Sequence, residues 1–263
     1  MKVTVCELPN DPDALTIQWN RLADHTRSAK SDLVLLPEMP FHPWLAASEQ
    51  VDSKRWHQAV ENHQRWIQRL PELGAGVVMG TRPMVCGGLP YNQGFAWTPD
   101  RATVSTHTKY YLPDEAGYWE ASWYRRGEGA FETIACGEAV YGFLICTEIW
   151  FTRHARDYGR HGAHIIVCPR VTPASSTDTW IAGGRAAAVV SGAFCLSSNL
   201  AGPNIPGSDF GGTGWVIEPE AGAVLGTTSA SEPFLTMDID IGWAEAAKST
   251  YPRYVADGLD TLP

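Results

Sequence analysis

The chain has 263 residues, 44% hydrophobic and 19% charged, a globular composition that excludes a disordered chain. Its net charge of −9 repels a phosphate backbone, so nucleic acid is not an expected partner. No stretch reaches the roughly 18 apolar residues of a membrane span. The N-terminal run MKVTVCELP lacks the apolar core of a signal peptide and reads as a strand, so no membrane partner and a cytoplasmic location are expected.

After that strand, over residues 2–8, Leu15, Trp19, Leu22, Thr26 and Ala29 recur at helical spacing and predict an amphipathic helix over 13–29. Asp32 to Leu36 is a short apolar run stopped by Pro37, the pattern of a buried strand. Trp56, Val60, Ile67 and Leu70 share one face of a helix over 52–70, and residues 76–80 form another buried strand. A meander follows, Asn92 to Trp97 and Thr103 to Lys109 about a turn at Pro99-Asp100. Residues 113–129 have no clean period and read as a functional loop. Strands at 139–146, 163–168 and 194–198 enclose helices at 152–161 and 178–194. Late strands are expected at 215–217 and 234–239, before a polar, proline-punctuated tail at 249–263. Strands and helices alternate throughout, which predicts an α/β protein, and no linker or repeat divides residues 1–263.

The six cysteines, Cys6, Cys86, Cys136, Cys146, Cys168 and Cys195, form no CxxC pair. Free thiols are expected, most of them small buried hydrophobes. Cys146 stands apart because it ends the run VYGFLIC. Glu38 follows LVLLP, and Lys109 ends the second strand of the meander. Groups at strand ends of an open α/β sheet face the ligand crevice. The three types also belong together chemically. A thiol of pKa about 8.5 is mostly protonated at neutral pH. A carboxylate can take its proton during attack, and an ammonium can hold the oxyanion that forms.

With these residues in place, the sequence resembles the nitrilase superfamily of carbon–nitrogen hydrolases. The matching pieces are LVLLPE at 33–38, THTKYYLP at 106–113, GFLICTEIWF at 142–151, GRHGAHIIVCPR at 159–170, the segments at 180–202 and 210–226, and MDIDI at 237–241. The resemblance implies a four-layer α-β-β-α sandwich, a homodimer or larger homo-oligomer, and no cofactor or metal. It implies Glu38 as general base, Lys109 as oxyanion-stabilising ammonium, Cys146 as nucleophile and the Thr147 N–H as second oxyanion donor. The loop KYYLPDEAGYWEASWY resembles that of N-carbamoylputrescine amidases, which matches the second glutamate to Glu120 in preference to Glu115. The expected substrate is a small-molecule amide, carbamoyl or nitrile compound. A linear amide or ureido group is the leading expectation, a nitrile the runner-up, and a non-catalytic binding member of the fold the second alternative. The sequence departs from many relatives after the cysteine, where Phe151-Thr152-Arg153 replaces a Phe-Pro-Glu run. Ile149 and Trp150 also replace the paired arginines of carbamoylases acting on D-amino acids.

Other residues have open roles. Trp44, Trp119 and Trp150 lie near the inferred catalytic segments and shape either a pocket or the core. Arg170 follows a buried strand and binds either an acidic substrate group or Glu148. Glu148 itself is a hydrogen-bonding group of the site or a helix cap. Ser197, Ser198 and Asn199 are supporting groups or strand-end caps. His154, His161 and His164 lack a familiar zinc-ligand spacing and read as surface or helix-end residues. Gly211 to Gly214 lacks the phosphate-loop spacing and reads as a tight turn.

Overall fold

Apolar residues that alternate along a strand face two different neighbours, and this alternation builds the layers of the molecule. The computed structural model describes residues 1–206 and 208–256. In chain order the first half comprises β1 (Lys2–Pro9), α1 (Pro12–Ala29), β2 (Leu33–Leu35), α2 (Ser53–Ile67), β3 (Val77–Cys86), β4 (Leu89–Thr98), β5 (Arg101–Thr108) and the one-turn helix α3 (Glu120–Trp123). The second half comprises β6 (Ile134–Cys136), β7 (Ala139–Phe143), α4 (Thr152–Arg160), β8 (Ile165–Arg170), α5 (Thr177–Ser191), β9 (Phe194–Ile205), β10 (Ser208–Gly211), β11 (Trp215–Ile217), β12 (Val224–Thr227), β13 (Phe234–Asp238) and α6 (Ile241–Ala247).

Two sheets result. In the first, β1, β2 and β3 run parallel, β4 and β5 continue as antiparallel hairpins, and β13 closes antiparallel against β1. In the second, β7, β8 and β9 run parallel, with β6 antiparallel to β7 and β11 antiparallel to β9. The sheets meet where the end of β1 pairs in parallel with β9, Glu7 opposite Asn199. Val34, Leu36 and Val78 point out of the first sheet to meet Trp19, Leu22, Trp56 and Ala59 of α1 and α2. Their neighbours Leu33, Leu35, Val77 and Met79 point inward and meet Tyr141, Phe143, Val167 and Leu196 of the second sheet. Ile166, Cys168 and Cys195 face outward again, onto Ala155, Tyr158, Ala187 and Ala188 of α4 and α5. The order is α-β-β-α, the four-layer sandwich.

Local signals account for the frame. Asp11 caps α1 by accepting from the N–H groups of Asp13 and Ala14, Pro12 occupies the first helical position, and Lys30 ends the helix in the left-handed conformation. The structure corrects several boundaries. The third strand of the first sheet runs to Cys86 and turns back directly into β4, longer than the expected 76–80. Short strands β6, β10 and β12 carry too few residues to show alternation. Residues 113–129 contain α3, which begins at Glu120. The strand before Cys146 stops at Phe143, so Cys146 lies beyond it and opens a 3₁₀ turn over Cys146–Trp150. Of the tail read at 249–263, residues 257–263 lie outside the described residues. No helix among the described residues is long and apolar enough to cross a membrane.

Candidate active site

The loops leaving β2, β5 and β7 converge. Glu38 lies three residues past β2, Lys109 directly follows β5, and Cys146 lies three past β7. All are buried, and Glu120, the first residue of α3, is buried with them. Lys109 Nζ donates to Glu38 Oε1 at 2.7 Å and to Glu120 Oε1 at 2.8 Å. Asn92 Nδ2 donates to the same Glu38 oxygen at 2.6 Å, while Glu38 Oε2 is buried without a hydrogen-bond partner. The Cys146 thiol lies beside the Glu38 carboxyl. Its Sγ points to the Val171 carbonyl oxygen at 3.7 Å. Tyr124 Oη donates to Glu120 Oε2 from one helical turn further along. Glu115, the other glutamate of this loop, is exposed.

Backbone strain concentrates here. Met39, next to Glu38, has φ 41°, and Cys146 has φ 49°. Such left-handed conformations cost a non-glycine residue on the order of 1–3 kcal/mol and persist only where the surroundings impose them. Thr81 Oγ1 accepts the Met39 N–H at 2.9 Å, and Glu148 Oε2 accepts the Ile145 N–H at 2.8 Å. The elbow at Cys146 turns the thiol toward Glu38. It also puts Thr147 in the first positions of the turn, where N–H groups have no acceptor within the turn.

Burial sets the protonation states. It pushes the Cys146 thiol up to about 12, the Glu38 carboxylate adding to the rise and Lys109 opposing it. Burial raises Glu38 above the usual carboxylate range against the pull of Lys109, and raises Glu120 to about 8. For Lys109 burial disfavours the ammonium, but the Glu120 and Glu38 carboxylates outweigh it and the pKa rises. The lysine is therefore a fixed cation, and the thiol is protonated at rest. The Glu38 carboxyl lies beside it.

Glu148 is buried and ties two of these segments together. It accepts the Tyr110 N–H at 2.7 Å, the Ile145 N–H at 2.8 Å and a contact from His107 Nε2 at 2.8 Å. The pairing of Arg170 with Glu148, one of the two roles open to that arginine, is not formed. Arg170 Nε donates to Ser197 Oγ at 2.6 Å, Nη1 to Thr172 Oγ1 at 2.7 Å and Nη2 to the Thr213 carbonyl at 2.7 Å. Its guanidinium stacks 3.9 Å from the Trp215 ring centroid, so the side chain is engaged by the protein on the α5 side of the second sheet. Asn199 bonds to Thr172 and Gly212, and so belongs to the same support. Trp150 is 41% exposed and packs on Trp180 of α5, 5.0 Å between centroids. Trp119 is half-buried beside Glu120, its N–H held by the Ala46 carbonyl at 2.8 Å. Trp44 is buried, its indole N–H on the Gly117 carbonyl at 3.1 Å.

His154 is bonded to Tyr111 Oη at 3.0 Å, His164 Nδ1 accepts the Val140 N–H at 3.0 Å, and His161 ends α4. No group of three or more potential metal ligands occurs among the described residues. Gly212 and Thr213 take positive φ in a turn whose Thr213 N–H donates to Glu7 Oε1 at 2.8 Å. Sequence reasoning missed Asn92, Tyr124 and His107. Tyr124 had a signal, its i, i+4 relation to Glu120, but that depends on recognising a helix of four residues.

A lysine held between two buried carboxylates, beside a thiol on a strained elbow, calls for comparison with known proteins. The model of the carbon–nitrogen hydrolase family matches residues 2–249. The chain belongs to the carbon–nitrogen hydrolase family. Among curated relatives of this hydrolase, N-carbamoylputrescine amidase of Arabidopsis thaliana is 22% identical over 250 residues, covering 88% of this chain and 83% of the relative. The enzyme of that name from Solanum tuberosum is 26% identical over 88 residues, 34% of this chain and 29% of its own length. A carbon–nitrogen hydrolase from Helicobacter pylori superposes with a TM-score of 0.86 at 19% identity, covering 99% of this chain and 96% of that one. An amidase from Nesterenkonia sp. superposes with a TM-score of 0.76 at 20% identity, covering 93% and 92%. These are nitrilase-superfamily structures, and they share this hydrolase's fold.

Proposed function

We propose that this hydrolase cleaves a linear amide or carbamoyl group of a small molecule through an acyl-enzyme on Cys146, a thioester from an amide and a thiocarbamate from a carbamoyl group. The observation that carries this reading is the Lys109 ammonium bonded to both Glu38 and Glu120 beside the buried thiol. The N-carbamoylputrescine amidases among the relatives support the carbamoyl side of it. Glu38 takes the thiol proton as Sγ adds to the carbonyl carbon. Lys109 and the Thr147 N–H hold the negative charge that develops on oxygen. Glu38 returns the proton to the leaving nitrogen, the C–N bond breaks, and ammonia departs. Glu38 then activates water to hydrolyse the acyl-enzyme, restoring the thiol. Glu120 orients Lys109 and the substrate amide, and Trp119 borders the acyl portion. A homodimer or larger assembly belongs to the same proposal and is tested by sedimentation of the purified chain.

Replacing Cys146 with Ala should abolish ammonia release from a panel of amides, ureides and nitriles while leaving the circular dichroism spectrum unchanged. Retained turnover in that variant sinks the mechanism. Wild-type turnover of the nitrile over its matched amide would favour the nitrilase reading. Absence of turnover, with no preferential labelling of Cys146 by an electrophile, would favour the non-catalytic one.

A further inference from the structure

The two oxygens of the Glu38 carboxyl are held unequally. Oε1 accepts from Lys109 Nζ at 2.7 Å and from Asn92 Nδ2 at 2.6 Å, while Oε2 is buried with no nitrogen or hydroxyl donor. A carboxylate oxygen carries two in-plane lone pairs, so Oε1 is filled and Oε2 keeps its own free. Both donors to Oε1 have fixed seats. Asn92 lies in β4 and is fully buried, and its main-chain carbonyl accepts the Lys109 N–H at 2.9 Å. One residue thus sets the place of the lysine and of the carboxylate it pairs with. The end of β8 forms the opposite wall. There the Arg170 carbonyl accepts the Glu38 N–H at 3.4 Å, and the next carbonyl, that of Val171, faces Cys146 Sγ at 3.7 Å. Carboxylate and thiol are therefore held by consecutive residues of one strand end.

An asparagine inside a buried strand calls for a reason. Burying a carboxamide is costly unless it is hydrogen-bonded, and asparagine is depleted in strands. The main-chain pairing of Asn92 with Pro83 of β3, and its carbonyl bond to Lys109, would survive with an apolar side chain. What the side chain adds is an N–H on Glu38 Oε1.

We propose that Asn92 is a positioning residue for the base: together with Lys109 it fills Oε1, fixes the plane of the Glu38 carboxyl and leaves Oε2 as the oxygen that takes the Cys146 proton. The proposal rests on the hydrolase reading above and names the atom through which its base acts. The proton passes from Sγ to Oε2 as the S–C bond forms, and Asn92, which does not titrate, neither gives nor takes one. Without Asn92 the carboxyl is free to turn, because the lysine ammonium alone fits either oxygen. The amide N–H also favours the ionised carboxylate, against the burial that raises its pKa. Losing it raises that pKa further.

The test is the pH dependence of kcat/KM for ammonia release by two variants. Asn92→Leu keeps the volume without the donor, and Asn92→Asp keeps the shape but sets an acceptor against Oε1. In both, the acid limb should move to higher pH by about one unit or more. On the plateau kcat should fall roughly tenfold or more while KM changes less. An acid limb that stays at the wild-type pH in either folded variant overturns the proposal, even if the urea midpoint drops, since a merely structural asparagine would affect stability alone. The rate at which iodoacetamide alkylates Cys146, followed by mass spectrometry over the same pH range, reads the base without turnover, and its acid limb should move in the same direction. Ammonia release with unmoved limbs removes the role of Asn92 and leaves the hydrolase. A moved alkylation limb in a chain that releases no ammonia from any amide or ureide keeps the role and removes the hydrolase.

Discussion

In the proposed mechanism Cys146 meets its substrate as a thiol, because burial and the Glu38 carboxylate hold its pKa at about 12. Reactivity then depends on proton transfer to Glu38, whose own pKa is raised by burial. Below that raised value Glu38 is protonated and cannot act as base. Turnover should therefore fall on the acid side at a pH above the ordinary carboxylate range, which a kcat/KM profile measures. Glu120 leaves a mark on stability. Its pKa rises from 4.5 to about 8 on burial, so the folded chain binds this proton more tightly than the unfolded chain does. The contribution is full below about 4.5 and is lost as the pH climbs through about 8. Across that window the wild type should lose stability relative to Glu120→Gln, with a slope of up to about 1.4 kcal/mol per pH unit. Urea midpoints of the two proteins that run parallel over the window would refute the assignment.

At the scale of elements, the site depends on holding the end of β5 against the turn after β7. Glu148 does this with one carboxylate, binding the N–H groups of Tyr110 and Ile145 and the ring of His107. Tyr110 adjoins the lysine and Ile145 adjoins the cysteine, so Glu148 is a positioning residue for both. Glutamine keeps the shape but turns one acceptor oxygen into a donor, and at least one of these N–H groups is left facing it. Glu148→Gln should cost about 1–3 kcal/mol of stability. Its kcat should fall roughly tenfold or more while KM changes less, since misplaced reacting groups slow the chemical step. An unchanged kcat in the folded variant would reduce Glu148 to a cap for the turn.

At the scale of the whole molecule, four layers must stack closely for the loops to converge. The outer helical layer over the second sheet makes this requirement visible. A Cβ on Gly159 of α4 would lie 2.1 Å from the Ser191 carbonyl oxygen at the end of α5. That neighbour is backbone, so α4 and α5 would have to part. Gly159→Ala should destabilise the chain by about 1–3 kcal/mol, an overpacking cost read from urea unfolding. An Ala variant as stable as the wild type would mean that the two helices are free to separate.

The sequence by itself determined the α/β alternation, the main strands and helices, and the segments that the fold brings together around Lys109. Those features are written in short-range periodicity and in ordered motifs, both local properties of the chain. Leu33 to Leu35 is apolar at every position, so it reads as a buried strand, yet only the packed structure shows that Leu33 and Leu35 face the other sheet while Val34 faces α1 and α2. The cysteine was legible as the end of an apolar run. Its left-handed φ was not, because tertiary contacts impose that strain against local preference. The lysine and both glutamates were singled out by motifs, whereas Asn92 lies outside them, and His107 and Tyr124 lie inside them with nothing to mark their role; the three find their partners 54, 41 and 4 residues away in the chain. In the sequence Arg170 was open to an acidic substrate group or to Glu148, and the fold supplies it with Ser197, Thr172, Thr213 and the Trp215 ring. Which charge a buried arginine or glutamate answers to is decided by what the fold places within hydrogen-bond reach, and that distance is absent from the linear order of residues.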